Sequence, residues 1–186
     1  MKRAIFFLMV ILFPIFDSAV MPLLSIGGYY GSITFVFLIC YTIYYGRKDG
    51  VILAIILGLM QDLLYINIIG LNLLCNLIVV YCVVQISDIL NKEKMFLISV
   101  LTFIFSCLKA GLIFVVFFLL AQDYNLYSIF FTSIINFVIC CFFYKSFYRF
   151  FNSEQMKKEW NFKERWIEWK WKKRRQVFPE LLFCLL

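Results

Sequence analysis

Apolar residues fill most of this chain in six runs: about 4 to 24, 30 to 46, 50 to 66, 69 to 87, 95 to 121 and 126 to 146. Charged or turn-rich stretches separate them, and each is about long enough, as a helix, to cross a hydrocarbon core of about 30 Å. Six membrane-spanning helices are therefore predicted. Pro14, Asp17 and Pro22 interrupt the first run, whose "MKR" start also fits a signal peptide. Its "DSAVM" stretch is a poor cleavage site, so the run is expected to stay as an anchor.

The polar residues between the runs give them a direction. Lys2 and Arg3, Arg47 and Lys48, Lys92 and Lys94, and Lys145 and Arg149 with everything after them fall at alternate ends of the six spans. The other three connections carry no Lys or Arg, and Asp17, Asp62 and Asp123 lie at or near them. Basic residues are retained on the cytoplasmic side, so both termini are predicted to be cytoplasmic. A composition of 64% hydrophobic, 20% aromatic and 16% charged residues, with mean hydropathy +0.91, agrees with an all-α integral membrane protein. The expected organisation is a six-span membrane domain, 1–146, followed by a basic, Trp-rich cytoplasmic tail, 147–186.

Inside the runs the polar residues form stripes. Gly50, Ala54 and Gly58 recur every four residues, a small-residue face that lets another helix backbone approach, and Asp62 continues it. Asn72 and Asn76 share a face in the fourth span. Ser99, Thr102, Ser106 and Lys109 share one in the fifth, and Ser128, Thr132, Asn136 and Cys140 share one in the sixth. Asp62 lies 13 residues beyond Asp49, and Lys109 lies 15 beyond Lys94. At 1.5 Å per residue both sit about 20 Å from the inner face, so they can pair. The other reading puts Asp62 at the outer interface, with Lys109 snorkelling outward along its stem. An ionisable residue inside a membrane is by default a site of interest.

Machinery for catalysis is not visible. The chain has no histidine, and its seven cysteines form no C-x-x-C; all but Cys184 lie in apolar runs, where a thiol packs as a small hydrophobe. Neither a phosphate loop nor a nucleophile elbow occurs. No enzymatic activity, metal or cofactor is expected.

Residues 24–81, with Gly46 or Gly50, then Gly58, Leu59, Asp62, Leu63, Gly70, Leu71 and Asn72, resemble the rod shape-determining protein MreD family. The family pattern has a glycine after the second span, then G-L-x-x-D-L and, after a short interval, G-L-N. The resemblance extends over about residues 1–146. It implies a non-catalytic scaffold in the bacterial plasma membrane, part of the cell-elongation machinery that links an actin-like cytoskeleton to peptidoglycan synthesis. Its expected partners are an MreC-type periplasmic scaffold and the peptidoglycan synthase complex. The family is also similar in fold to the substrate-binding subunits of energy-coupling vitamin transporters, which supplies a second reading: a small-molecule-binding transporter subunit. Very short outer loops, "DYN" and "YINII", favour the scaffold. The residues expected to make helix or partner contacts are Gly58, Asp62, Gly70, Asn72, Asn76, Lys109 and Asn136.

The tail carries nine Lys/Arg against five Glu over residues 154–186, interleaved with Trp160, Trp166, Trp169 and Trp171. Glu154 with Lys158, Glu159 with Lys163 and Glu168 with Lys172 are i, i+4 pairs in the favourable order, so a helix is predicted. A basic, Trp-bearing helix beside a span suits anionic lipid, with Lys172, Lys173, Arg174 and Arg175 as its strongest cluster. The glutamates dilute the charge that nucleic-acid binding would need, and no such partner is expected.

Overall fold

The structure, a computed structural model, describes residues 2–25, 28–64, 70–87, 94–121 and 126–152. Among them it is all-helical: α1 (Lys2–Ala19), α2 (Ile33–Tyr45), α3 (Arg47–Leu64), α4 (Leu71–Ser87), α5 (Met95–Leu119) and α6 (Tyr127–Phe151). A short 3-10 turn, Met21–Leu24, follows α1 and has Pro22 in its first positions. Six helices thus occupy the six apolar runs, with ends displaced by a few residues. The predicted tail beyond residue 152 lies outside the described residues, and with it Trp160, Trp166, Trp169, Trp171, Lys172, Lys173, Arg174 and Arg175.

Length divides the helices into two groups. α5 and α6, at 25 residues each, are long and apolar enough to cross a membrane. At 1.5 Å per residue they extend about 37 Å. The apolar helices α2 and α4, with 13 and 17 residues, are shorter. α3 has 18 residues but opens on Arg47, Lys48 and Asp49.

Burial explains the short α2. Its residues Ile33 to Cys40 are all buried, and it touches each of the other five helices. A helix that is apolar all round belongs inside a bundle. α1, α3, α4, α5 and α6 form an arc around it, each in contact with the next. Phe7, Ile52, Leu63, Phe96, Phe118 and Phe142 are exposed on the outside of the arc. Water would not cover such a surface cheaply, whereas lipid would.

At the end where α2 and α6 finish, rings close the core. Phe37 packs on Phe13, Phe147 and Phe151 with centroids 5.2 to 5.8 Å apart, and Tyr41 stacks on Phe6 at 5.1 Å. Tyr45 Oη donates to the Phe151 carbonyl at 3.2 Å. α6 therefore continues five residues past 146, because Phe147 and Phe151 have core positions to fill while Lys145 and Arg149 stay exposed. The opposite end, where α2, α4 and α6 begin, holds most of the polar side chains.

Candidate functional site

Helix beginnings leave backbone N–H groups without internal partners, and in apolar surroundings each must find an acceptor. At α2 that acceptor is Asp17, fully buried near the end of α1. Its Oδ1 accepts from the Ile33 N–H at 2.9 Å, and its Oδ2 accepts from the Thr34 N–H at 2.9 Å and from Ser32 Oγ at 2.6 Å. Ser32 Oγ in turn accepts from the Phe35 N–H at 3.1 Å, and the Ser32 N–H donates to Asn136 Oδ1 at 2.7 Å. The first three N–H groups of the helix and that of its capping serine are all satisfied.

α4 begins in the same way. Asp62, near the end of α3, accepts at Oδ1 from the Asn72 N–H (2.9 Å) and at Oδ2 from the N–H groups of Gly70 (3.0 Å) and Leu73 (3.1 Å). Gly70 has φ +94°, a left-handed conformation that glycine adopts without strain and that lets its N–H reach back to Asp62. Each of the first two helical hairpins is thus pinned by a carboxyl group of its first helix, set on the N-terminus of its second. Negative charge there also complements the helix dipole.

The small-residue face of α3 provides the approach. Gly50, Ala54, Gly58 and Asp62 are all buried, and a Cβ at Gly58 would lie 2.6 Å from Leu73 Cα. α3 and α4 therefore meet backbone to backbone beside the Asp62 cap.

Lys109 stands elsewhere. Among the described residues no ion pair within 4.0 Å joins it to Asp62, so the expected pairing is not made. Its Nζ is 3.5 Å from Gln61 Oε1 and 4.9 Å from the centre of the Phe35 ring. Helix geometry supplies the reason: consecutive residues point about 100° apart, so Asp62 turns toward α4 while Gln61 faces the interior. Gln61 is the junction that the sequence reading missed. Its Oε1 also accepts from Asn76 Nδ2 at 3.0 Å, and its Nε2 lies 3.5 Å from Ser32 Oγ. Asn136 Nδ2 completes the network by donating to Ser106 Oγ at 2.7 Å. Asn72 meets Asp62 through its backbone only, while its side chain lines a cavity.

That cavity measures about 310 Å³ and lies among the beginnings of α2, α4 and α6. Lys109, Gln61, Asn72, Ser106, Thr132 and Asn136 supply its polar wall, and Tyr29, Tyr30, Phe35 and Phe117 its aromatic one. The short connections had argued against a pocket. Helix ends and the segment before α2, rather than long loops, provide the lining.

A direct consequence is that the losses of stability from Asp62→Ala and Lys109→Met should couple only through space, by less than about 1 kcal/mol. Lys109→Met and Gln61→Leu should couple by more than that. Unfolding of the three single and two double variants in detergent measures both, and a coupling above about 1 kcal/mol between positions 62 and 109 would restore the ion pair.

An all-helical bundle with apolar outer faces and buried polar groups holding its hairpins together has the features of a structural membrane protein. The family model described as rod shape-determining protein MreD matches residues 1–154, more than half of the chain. The chain belongs to that family, and its role is in rod shape determination. No curated protein and no solved structure matches it.

Proposed function

We propose that the protein is a non-catalytic scaffold of the cell-elongation machinery, a six-span protein of the bacterial plasma membrane with both termini cytoplasmic. The family match over the whole helical bundle carries this reading. The use of Asp17, Asp62, Gln61 and Asn136 in joining helices supports it, since these groups are engaged in assembly. Gly58, Asp62, Gly70, Asn72, Asn76, Lys109 and Asn136 then act by giving the bundle its shape. Contacts with an MreC-type single-span scaffold and with the peptidoglycan synthase complex fall to the outward apolar faces, such as that of α5. The Trp-rich basic segment after residue 152 attaches to anionic lipid on the cytoplasmic leaflet.

Depletion in the source cell tests the reading. Rods should round up and lyse, and the full chain should restore them; complementation by a chain ending at Asn152 measures what the tail adds. Unchanged rods after depletion would refute it. If the source is a natural coccus, co-purification with the MreC-type scaffold replaces cell shape as the readout, and its failure counts the same way.

A further inference from the structure

Lys109 is the one cation among the described residues that lines the cavity, and its ammonium group makes a single long hydrogen bond there. An ammonium group carries three donors. Here it has a 3.5 Å contact to an amide oxygen already shared with Asn76, and an aromatic face at 4.9 Å. Asp17 and Asp62 attract it from beyond ion-pair distance, while their oxygens accept three hydrogen bonds each at a helix beginning and none from Lys109. The size of the cavity beside it is at the lower end for small-ligand sites. Ser106, Thr132 and Asn72 offer further hydroxyl and amide groups in the same wall, and Phe117 and Ile113 give it an apolar side.

We propose that this cavity binds an anionic, oxygen-rich group, a phosphate or a carboxylate, with Lys109 as its charged anchor. The anion takes the donors that Gln61 leaves unanswered, the hydroxyl and amide groups orient it, and the apolar side accommodates whatever carbon skeleton it carries. The inference is independent of the scaffold role, since it rests on the cavity alone. The same chemistry can arrive as a lipid headgroup or as a free small anion.

The test uses the purified full chain in nanodiscs and follows thermal unfolding. One arm adds inorganic phosphate to phosphatidylcholine discs, with ionic strength held constant by chloride; the other replaces part of the phosphatidylcholine by phosphatidylglycerol. A saturable rise in midpoint with phosphate identifies a free anion, and a rise with phosphatidylglycerol alone identifies a headgroup. In either case Lys109→Gln should weaken the apparent affinity about tenfold or more, as expected for a lost charged hydrogen bond. Lys145→Gln, which removes an exposed charge at the far end of α6, should leave it unchanged. Thr132→Leu narrows the cavity without touching a charge and should also weaken binding, which keeps the test decisive if Lys109→Gln fails to fold. No rise in either arm would overturn the proposal. So would an equal rise in wild type and in each folded cavity variant.

Discussion

Asp17→Ala should destabilise the bundle by about 4 kcal/mol, more than the same change at Asp62. Both remove the acceptor of three donors, but the surroundings differ. The Ile33 and Thr34 N–H groups that Asp17 serves are buried, so the alanine leaves two buried backbone donors with no partner, at about 1 to 3 kcal/mol each. The three N–H groups that Asp62 serves are partly buried, so water reaches them and the loss should be nearer 2 kcal/mol. Asparagine should fall between aspartate and alanine at both sites: its carbonyl keeps part of the set, while its NH2 faces an N–H that needs an acceptor. Unfolding in detergent measures all four variants. An Asp17→Ala variant as stable as wild type would show that α2 does not need this cap.

The two caps also show how far the chain could be read without coordinates. Hydrophobic runs mark the six helices well, because apolar length is a property of the sequence itself. Asp17, Asp62 and Asp123 stand out as the charged residues near connections free of Lys and Arg. The use of two of them as caps was half visible. Asp62 precedes G-L-N by a short interval, so a bond across a tight turn could be drawn; Asp17 is separated from Ser32 by 15 residues and a 3-10 turn, and nothing local connects them. Asp123 lies outside the described residues.

Lys109 illustrates a different limit. Equal depth brought Asp62 and Lys109 to one level of the bundle, but depth says nothing of azimuth. One residue of rotation separates Asp62, turned to α4, from Gln61, which reaches Lys109. The polar stripes fared better because i, i+3 and i, i+4 spacing fixes azimuth within a helix. Ser99, Thr102 and Ser106 are buried on one side of α5, and Ser128, Thr132 and Asn136 line the cavity together from α6. Which helix each stripe would meet depends on the order of the arc, and that order is a tertiary fact. The cavity was illegible for the same reason: its wall comes from five helices and from the residues before α2.

Gly58→Val is expected to cost about 3 kcal/mol, the upper part of the range for overpacking. A Cβ at this position would lie 2.6 Å from Leu73 Cα and 3.1 Å from Leu73 N, closer than packed atoms allow, and the obstacle is backbone rather than a side chain that can swing away. α4 must move off α3, and that motion also lengthens the Leu73 N–H bond to Asp62, now 3.1 Å, so the substitution attacks the cap and the packing together. Gly58→Ala should show the same effect in smaller measure. Gly50 gives an internal comparison, since a Cβ there meets the side chain of Thr42 at 2.8 Å, which can yield by rotation at the expense of its bond to the Leu38 carbonyl. Gly111→Ala supplies the opposite sign: nothing lies within 4 Å of its Cβ position, and alanine favours the helix by up to about 1 kcal/mol, so the variant should be as stable as wild type or more so. Thermal midpoints in detergent should therefore rank Gly111→Ala highest, then Gly50→Ala, Gly58→Ala and Gly58→Val. If Gly58→Val instead matched Gly111→Ala, α3 and α4 would not be in backbone contact in the membrane, and the Asp62 cap would have to reach α4 across a wider gap.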